Sequence, residues 1–262
     1  MSVILLKNKM MHYEVLGRGK PLIFLHGWIG SWRYWVPTLQ AASANYRAYA
    51  IDMWGFGDTT KDGTDYSISQ QADLLDGFFD QMGIGRIALI GHGLGALVAM
   101  NYAFTHKELV DRLMLISFPI SPDGMAARLK TEAPAVIAES LLSHSPLTDP
   151  VFIEAARTDQ KALSESFNNV PSENIWGIWD RLTIPCLMVN GQNDPLIPFP
   201  QLDDIQNLPE NLHAILFEEA GHFPMLDDPN KFNRLMVDFL ALKSGESPRN
   251  LQLKEEWKRR FR

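Results

Sequence analysis

Residues 86–100 constrain the fold more tightly than any other stretch. Ile87-Ala-Leu-Ile90 is apolar at every position, so it reads as a short strand covered on both faces, as in a parallel sheet. Gly91-His92-Gly93-Leu94-Gly95 follows, with three glycines in five residues. Such density demands a sharp turn with φ values that side chains resist. An apolar helix then runs to about Phe104. Strand, turn and helix together put Gly93 at the lip of the sheet, beside the first turn of a helix. The 87–104 run is apolar enough to raise the question of a membrane span. His92, Asn101 and the glycine cluster favour a buried strand plus helix instead.

The same rhythm recurs on both sides. Ser2–Leu6 and Met10–Leu16 read as strands meeting at a turn near Asn8-Lys9. Leu22–Leu25 is a short buried strand ending at His26-Gly27-Trp28. Ser31 is an N-cap candidate for a helix through Trp32, Trp35, Leu39 and Ala42. Arg47–Ile51 is a strand ending at Asp52-Met-Trp-Gly55-Phe-Gly57-Asp58. Ser67 opens a helix with apolar positions at Leu74, Leu75, Phe78, Phe79 and Met82, stopped by Gly83 or Gly85. Further strands are expected at Leu113–Ile116, Cys186–Asn190 and Leu212–Phe217, with helices near Gln201–Asn207 and at Pro229–Leu242. Alternating short apolar strands and helices predict an α/β fold with a mostly parallel, doubly covered sheet. Ligands of such sheets sit beyond the carboxyl ends of the strands.

Between Ser117 and Leu182 prolines punctuate two helical stretches, Ala126–Leu142 and Asp149–Phe167, and no strand is evident. A helical cap inserted between two strands is expected here, against the alternative of a long irregular excursion. The division is then a core of residues 1–118 and 183–243, a cap of 119–182 and a tail of 244–262. In the tail Leu253, Trp257 and Phe261 recur every four residues among basic side chains. A terminal helix docked on its own domain, or on a partner subunit in a homo-oligomer, is preferred over membrane or nucleic-acid contact.

The glycine-rich turn has two chemical readings. Gly91-x-Gly93-x-x-Ala96 fits a dinucleotide-binding turn, with Asp111 about 20 residues on. But Asp111 precedes the next strand, where that site needs an acid at its end. The second reading is a nucleophile elbow, G-x-S-x-G, with glycine in place of serine. Here the chain resembles the α/β-hydrolase family, whose elbows often run Gly-His-Ser-x-Gly. The resemblance spans residues 1–242 and places the nucleophile position at Gly93, which has no side chain to attack with.

Other loops carry the same resemblance in the family's order of nucleophile, acid, histidine. Gly191-x-x-Asp194-x-x-x-Pro198 and Gly221-His222-Phe-Pro224 resemble its acid and histidine loops, each just past an expected strand. Taken singly, Asp194 is a turn aspartate before proline and His222 a surface loop histidine. Asp123 is a second candidate acid. His26-Gly27-Trp28 resembles the oxyanion loop, which implies that the backbone N–H groups of Trp28 and Leu94 face the substrate oxygen. Asp52-x-x-Gly55-x-Gly57 resembles a structural turn of the family, and His92 is expected to pack inside the elbow.

Bulk properties fit this frame. At 262 residues and net charge −7 the chain suits one large domain and disfavours nucleic acid and membrane partners. The single Cys186 lies in an apolar run as a buried small hydrophobe and suits a reducing cytoplasm. The N-terminal apolar run is too short for a signal segment. No metal or organic cofactor is implied. Trp28, Trp32, Phe56, Trp176, Phe223 and Met225 either line an apolar pocket or pack. A pocket would suit a small hydrophobic ester, lactone or related acyl compound. With glycine at 93, three outcomes stay open. They are a disabled hydrolase, a relative that binds a small molecule without turning it over, or a bare His222–Asp194 general base.

Overall fold

A computed structural model describes residues 2–63, 66–119, 125, 127–168, 181–199 and 208–253. Eight strands form one sheet: β1 (Ser2–Leu6), β2 (Lys9–Leu16), β3 (Lys20–Leu25), β4 (Tyr46–Ile51), β5 (Ile87–His92), β6 (Val110–Ile116), β7 (Cys186–Gly191) and β8 (Leu212–Phe217). Their spatial order is β1-β2-β4-β3-β5-β6-β7-β8. β2 runs antiparallel to β1 and β4, and every pairing from β4 to β8 is parallel. The β1–β2 turn falls one residue earlier than the sequence suggests. Lys7 and Asn8 both have positive φ, 50° and 65°, while Lys9 already pairs with Leu6. Two successive left-handed residues match the twist of a tight hairpin.

The all-apolar β5 lies near the middle of the sheet, and all six of its residues are buried. Helices α2 (Ile68–Met82) and α3 (Leu94–Thr105) pack against one another beside it. Ser67 Oγ caps α2 by accepting from Gln70 N, and Gly83 ends it at φ 61°. α3 has no polar face because it lies between the sheet and α2, with only its last turn reaching solvent. Among the described residues no helix is long and apolar enough to cross a membrane.

Two expected helices are broken. Ser31 does cap the first, but Trp32–Trp35 is a 3-10 turn and the α-helix, α1, covers only Val36–Ala42. Pro37 has no N–H to give to Arg33, so the ladder cannot run through from Trp32. Among the described residues between β6 and β7 the two expected helices become four: α4 (Arg128–Thr131), α5 (Pro134–Leu141), α6 (Asp149–Arg157) and α7 (Gln160–Asn168). Pro134 drives Ala133 to extended backbone, φ −66° and ψ 141°, splitting the first. Thr158 is likewise extended, and Asp159 Oδ1 then accepts from Lys161 N to start the next helix.

These helices are tied to the core by buried charge. Glu154 on α6 is 1% exposed and faces Arg33 Nη1 at 3.2 Å and Arg157 Nη1 at 2.9 Å. Asp58 takes Arg33 Nη2 at 2.7 Å and Arg157 Nη2 at 3.2 Å, and Tyr66 Oη donates to Asp159 Oδ2 at 2.9 Å.

After β8 comes a short helix that the sequence reading missed, α8 (Pro224–Asp227), then α9 (Pro229–Leu240). Arg112 Nη1 and Tyr46 Oη fasten the end of α9 through the carbonyls of Phe239 and Leu240. The expected helix at Gln201–Asn207, Asp123, Trp176, and the tail beyond Leu253 with Trp257 and Phe261 lie outside the described residues.

Candidate active site

The turn after β5 explains its three glycines differently. A Cβ on Gly91 would lie 2.3 Å from the carbonyl oxygen of Gly95, and one on Gly95 would lie 2.4 Å from that of Leu25. Both are therefore forced by the close approach of α3 to the sheet. Gly95 N donates to His26 O at 3.0 Å across that contact. Gly93 differs. A Cβ there would meet Trp28 ring carbons at 3.3 and 3.4 Å, tight but not blocked. What Gly93 relieves is backbone strain, since it sits at φ 51°, ψ −110°. A residue with a Cβ would hold such a conformation at a cost of roughly 1–3 kcal/mol.

Asp111 belongs to β6 rather than preceding it, and stands near its amino end, bonded to Arg112 at 2.8 Å and Arg86 at 3.3 Å. It is thus far from the strand end where a ribose-binding acid belongs.

Asp194 follows β7 and His222 follows β8. His222 Nδ1 donates to Asp194 Oδ2 at 2.9 Å, with both side chains buried. Asp194 Oδ1 accepts from the amides of Leu196 at 2.8 Å and Ile197 at 3.0 Å. Burial alone would raise the Asp194 pKa. The His222 imidazole and the two amides more than offset it, holding the carboxyl below the usual carboxylate range. Asp227 Oδ2 accepts from Gly221 N and pins the turn before the histidine.

His222 lies beside the elbow. Its ring is 4.7 Å, centre to centre, from that of His92, the residue before Gly93. Its main-chain carbonyl accepts twice, from His92 Nε2 at 2.9 Å and from Ser117 Oγ at 3.0 Å. His92 therefore packs inside the elbow, as expected, but also bonds through both ring nitrogens. Its Nδ1 lies 2.9 Å from Tyr34 Oη, which accepts from Gly27 N at 2.7 Å.

The His26-Gly27-Trp28 loop is equally fixed. Met53 N donates to His26 Nε2, so His26 Nδ1 carries the proton and gives it to Gly27 O at 2.8 Å. Leu94 is the first residue of α3, so its amide has no intrahelical acceptor. The Trp28 indole borders Gly93, stacks on Phe167 of α7 at 4.8 Å and 19°, and donates from Nε1 to Ser166 Oγ at 3.0 Å.

Of the other apolar candidates, Phe56 packs on His26, Phe223 on His92 and Tyr34, and Trp32 on His12. Cys186 is fully buried, which pushes its thiol pKa upward.

The Asp52 turn is structural. Asp52 Oδ1 accepts from Trp32 N, and Oδ2 from Asp58 N and His12 Nδ1. A Cβ on Gly57 would overlap that carboxylate at 2.1 Å. His12, Asp52 and Asp58 bring ligand-type atoms within 4.8 Å of one another, but the Asp52 oxygens are already taken by N–H donors.

The sequence reading missed Tyr34, Ser117 and Ser166. Tyr34 lies three residues past the candidate N-cap Ser31, where an aromatic reads simply as core. Nothing in the sequence flags the positive φ of Ser117, 46°.

Sheet order, elbow and strand-end loops define an α/β hydrolase, and residues 22–235 match the alpha/beta hydrolase family, to which the chain belongs. It is similar to a putative carbamate hydrolase RutD of Stutzerimonas stutzeri, 29% identical over 261 residues that cover 90% of this chain and 98% of that one. It is also similar to a pimeloyl-(acyl-carrier protein) methyl ester esterase of Vibrio cholerae, 24% identical, covering 87% and 97%. Among solved structures, an esterase from Exiguobacterium antarcticum superposes with a TM-score of 0.79 at 20% identity, over 92% of this chain and 98% of that one.

Proposed function

We propose that the chain carries the active-site frame of a hydrolase for small hydrophobic esters, lactones or related acyl compounds, with the attacking residue missing at Gly93. The observation that supports this best is the buried His222 Nδ1–Asp194 Oδ2 bond of 2.9 Å, assembled beside the elbow. In this reading Asp194 orients His222, whose Nε2 would take a proton from a residue at position 93. The amides of Trp28 and Leu94 would receive the developing oxyanion. Both donors are main chain, so they do not depend on a serine. The acyl chemistry agrees with the names of the similar proteins, an esterase and a carbamate hydrolase.

Without the serine, ordinary turnover should be close to lost. Removing a triad nucleophile costs on the order of 10⁶ in kcat, while oxyanion donors and binding leave about 10³–10⁴ over water. The experiment is Gly93→Ser, assayed on short-chain aryl esters, with His222→Ala in the same background as control. We expect activity to appear in the first and vanish in the second. A folded Gly93→Ser protein that stays at background overturns the proposal.

A second reading has one specific support: the His222–Asp194 pair is complete without any partner from position 93. The pair would then act as a general base on water or on a substrate proton. Residual ester hydrolysis by the unaltered chain, abolished by His222→Ala, would favour it.

A further inference from the structure

We infer that Ser117 and His92, with Tyr34 behind His92, clamp the main-chain carbonyl of His222 and so set the aim of its imidazole. This rests on reading His222–Asp194 as the working pair and adds three positioning residues to it.

A carbonyl oxygen can only accept, so the 2.9 Å contact with His222 O fixes a proton on His92 Nε2. His92 is fully buried, and desolvation, followed by the nearby His222, drives its pKa well below the ordinary imidazole value. It is therefore neutral, and Nδ1 is an acceptor. Tyr34 Oη must then donate to Nδ1 at 2.9 Å, which leaves its lone pairs for Gly27 N–H at 2.7 Å. Every hydrogen in the run Gly27, Tyr34, His92, His222 has one direction only. The run joins the loop after β3, the elbow and the loop after β8.

Ser117 supplies the second donor, at 3.0 Å, from the end of β6. Its backbone is in the left-handed region, φ 46°, where glycine would sit without strain. Glycine has no hydroxyl to give. Ser117 N is meanwhile bonded to Val189 O, so the residue cannot relax without breaking the β6–β7 edge. The Asp194 carboxylate is held separately by Leu196 and Ile197. Besides the bond they share, the carboxylate and the His222 main chain are thus held by separate contacts, and the clamp serves the imidazole.

The test reads the imidazole directly and needs no turnover. In the unaltered protein, the proton on His222 Nδ1 should give a far-downfield ¹H NMR resonance, assigned with ¹⁵N-histidine and by its loss in His222→Gln. Ser117→Gly removes the hydroxyl while relieving the backbone, so the protein stays folded. The resonance should nevertheless broaden or vanish through faster exchange. His92→Leu should do the same. His92→Gln, whose amide can both donate to His222 O and accept from Tyr34, should keep it. A residue that merely packs would change the melting temperature but not this proton. Should His92→Leu fail to fold, Ser117→Gly carries the test alone. An unchanged resonance in Ser117→Gly overturns the clamp. If the unaltered protein shows no such resonance, the His222–Asp194 pair itself fails and the clamp with it. Failure of Gly93→Ser to turn over ester, with the resonance lost in Ser117→Gly, would sink the hydrolase proposal alone.

Discussion

Trp28 Nε1 donates to Ser166 Oγ at 3.0 Å, and this one bond joins the loop after β3 to helix α7, 138 residues later in the chain. Both groups are buried, so Ser166→Ala leaves an indole N–H without its acceptor. We expect a loss of about 1–3 kcal/mol in stability by urea unfolding. Trp28→Phe with Ser166→Ala should lose less than the sum of the two single changes, because the pair acts as a unit.

Charge holds the neighbouring helix α6 to the core. Arg33→Ala leaves the buried Glu154 facing Arg157, which is half exposed. Losing one of its two guanidinium partners should cost the buried carboxylate on the order of 2 kcal/mol. Glu154→Gln should cost less, since it removes the buried charge instead of leaving it with a single partner. Limited proteolysis across residues 127–168 would show the loosening directly.

The three glycines of the elbow should respond unequally to alanine. Gly95→Ala forces a Cβ to 2.4 Å from Leu25 O, so the helix must move off the sheet and the protein should fail to reach its native state. Gly93→Ala meets nothing closer than 3.3 Å and should fold, losing roughly 1–3 kcal/mol to backbone strain. Thermal melts of the two variants side by side decide this.

Acid sensitivity should come from buried imidazoles. Burial lowers the pKa of His26, and of His92 well below its ordinary value. The unfolded chain protonates these below about pH 6.5 and the folded chain does not. Unfolding therefore takes up protons, and stability should fall as pH drops from about 7 toward 5. His12 has the opposite sign. Burial would lower it, but Asp52, Asp58 and Glu14 raise it, so its contribution is present below about pH 6.5 and lost as pH climbs through its folded value. His92→Gln should flatten the acid-side loss and His12→Gln should steepen it, as read from urea midpoints between pH 5 and 8.

Where chain chemistry is local, the sequence was legible. Full apolarity marked β5 and β7, a serine marked the start of α2, and loops bearing Asp194 and His222 declared themselves by type and order. Broken ladders were harder. Pro37 and Pro134 were visible, but how far each interrupts its helix depends on contacts from elsewhere. The bonds around His222 were not legible at all. Tyr34, His92 and Ser117 come from three separate segments, and each alone looks like ordinary core. The sheet register, which sets His92 opposite Ile116, brings His92 and Ser117 to one carbonyl, with Tyr34 behind His92.

Since glycine at 93 is not dictated by crowding, the elbow is a socket rather than a plug. The groups around it are secured through strands β3, β6, β7 and β8, and none leans on what occupies that seat. On the proposed reading, a hydroxyl, a thiol or a carboxylate introduced there would meet the same imidazole and the same amides, so a single substitution would set which chemistry this framework could perform.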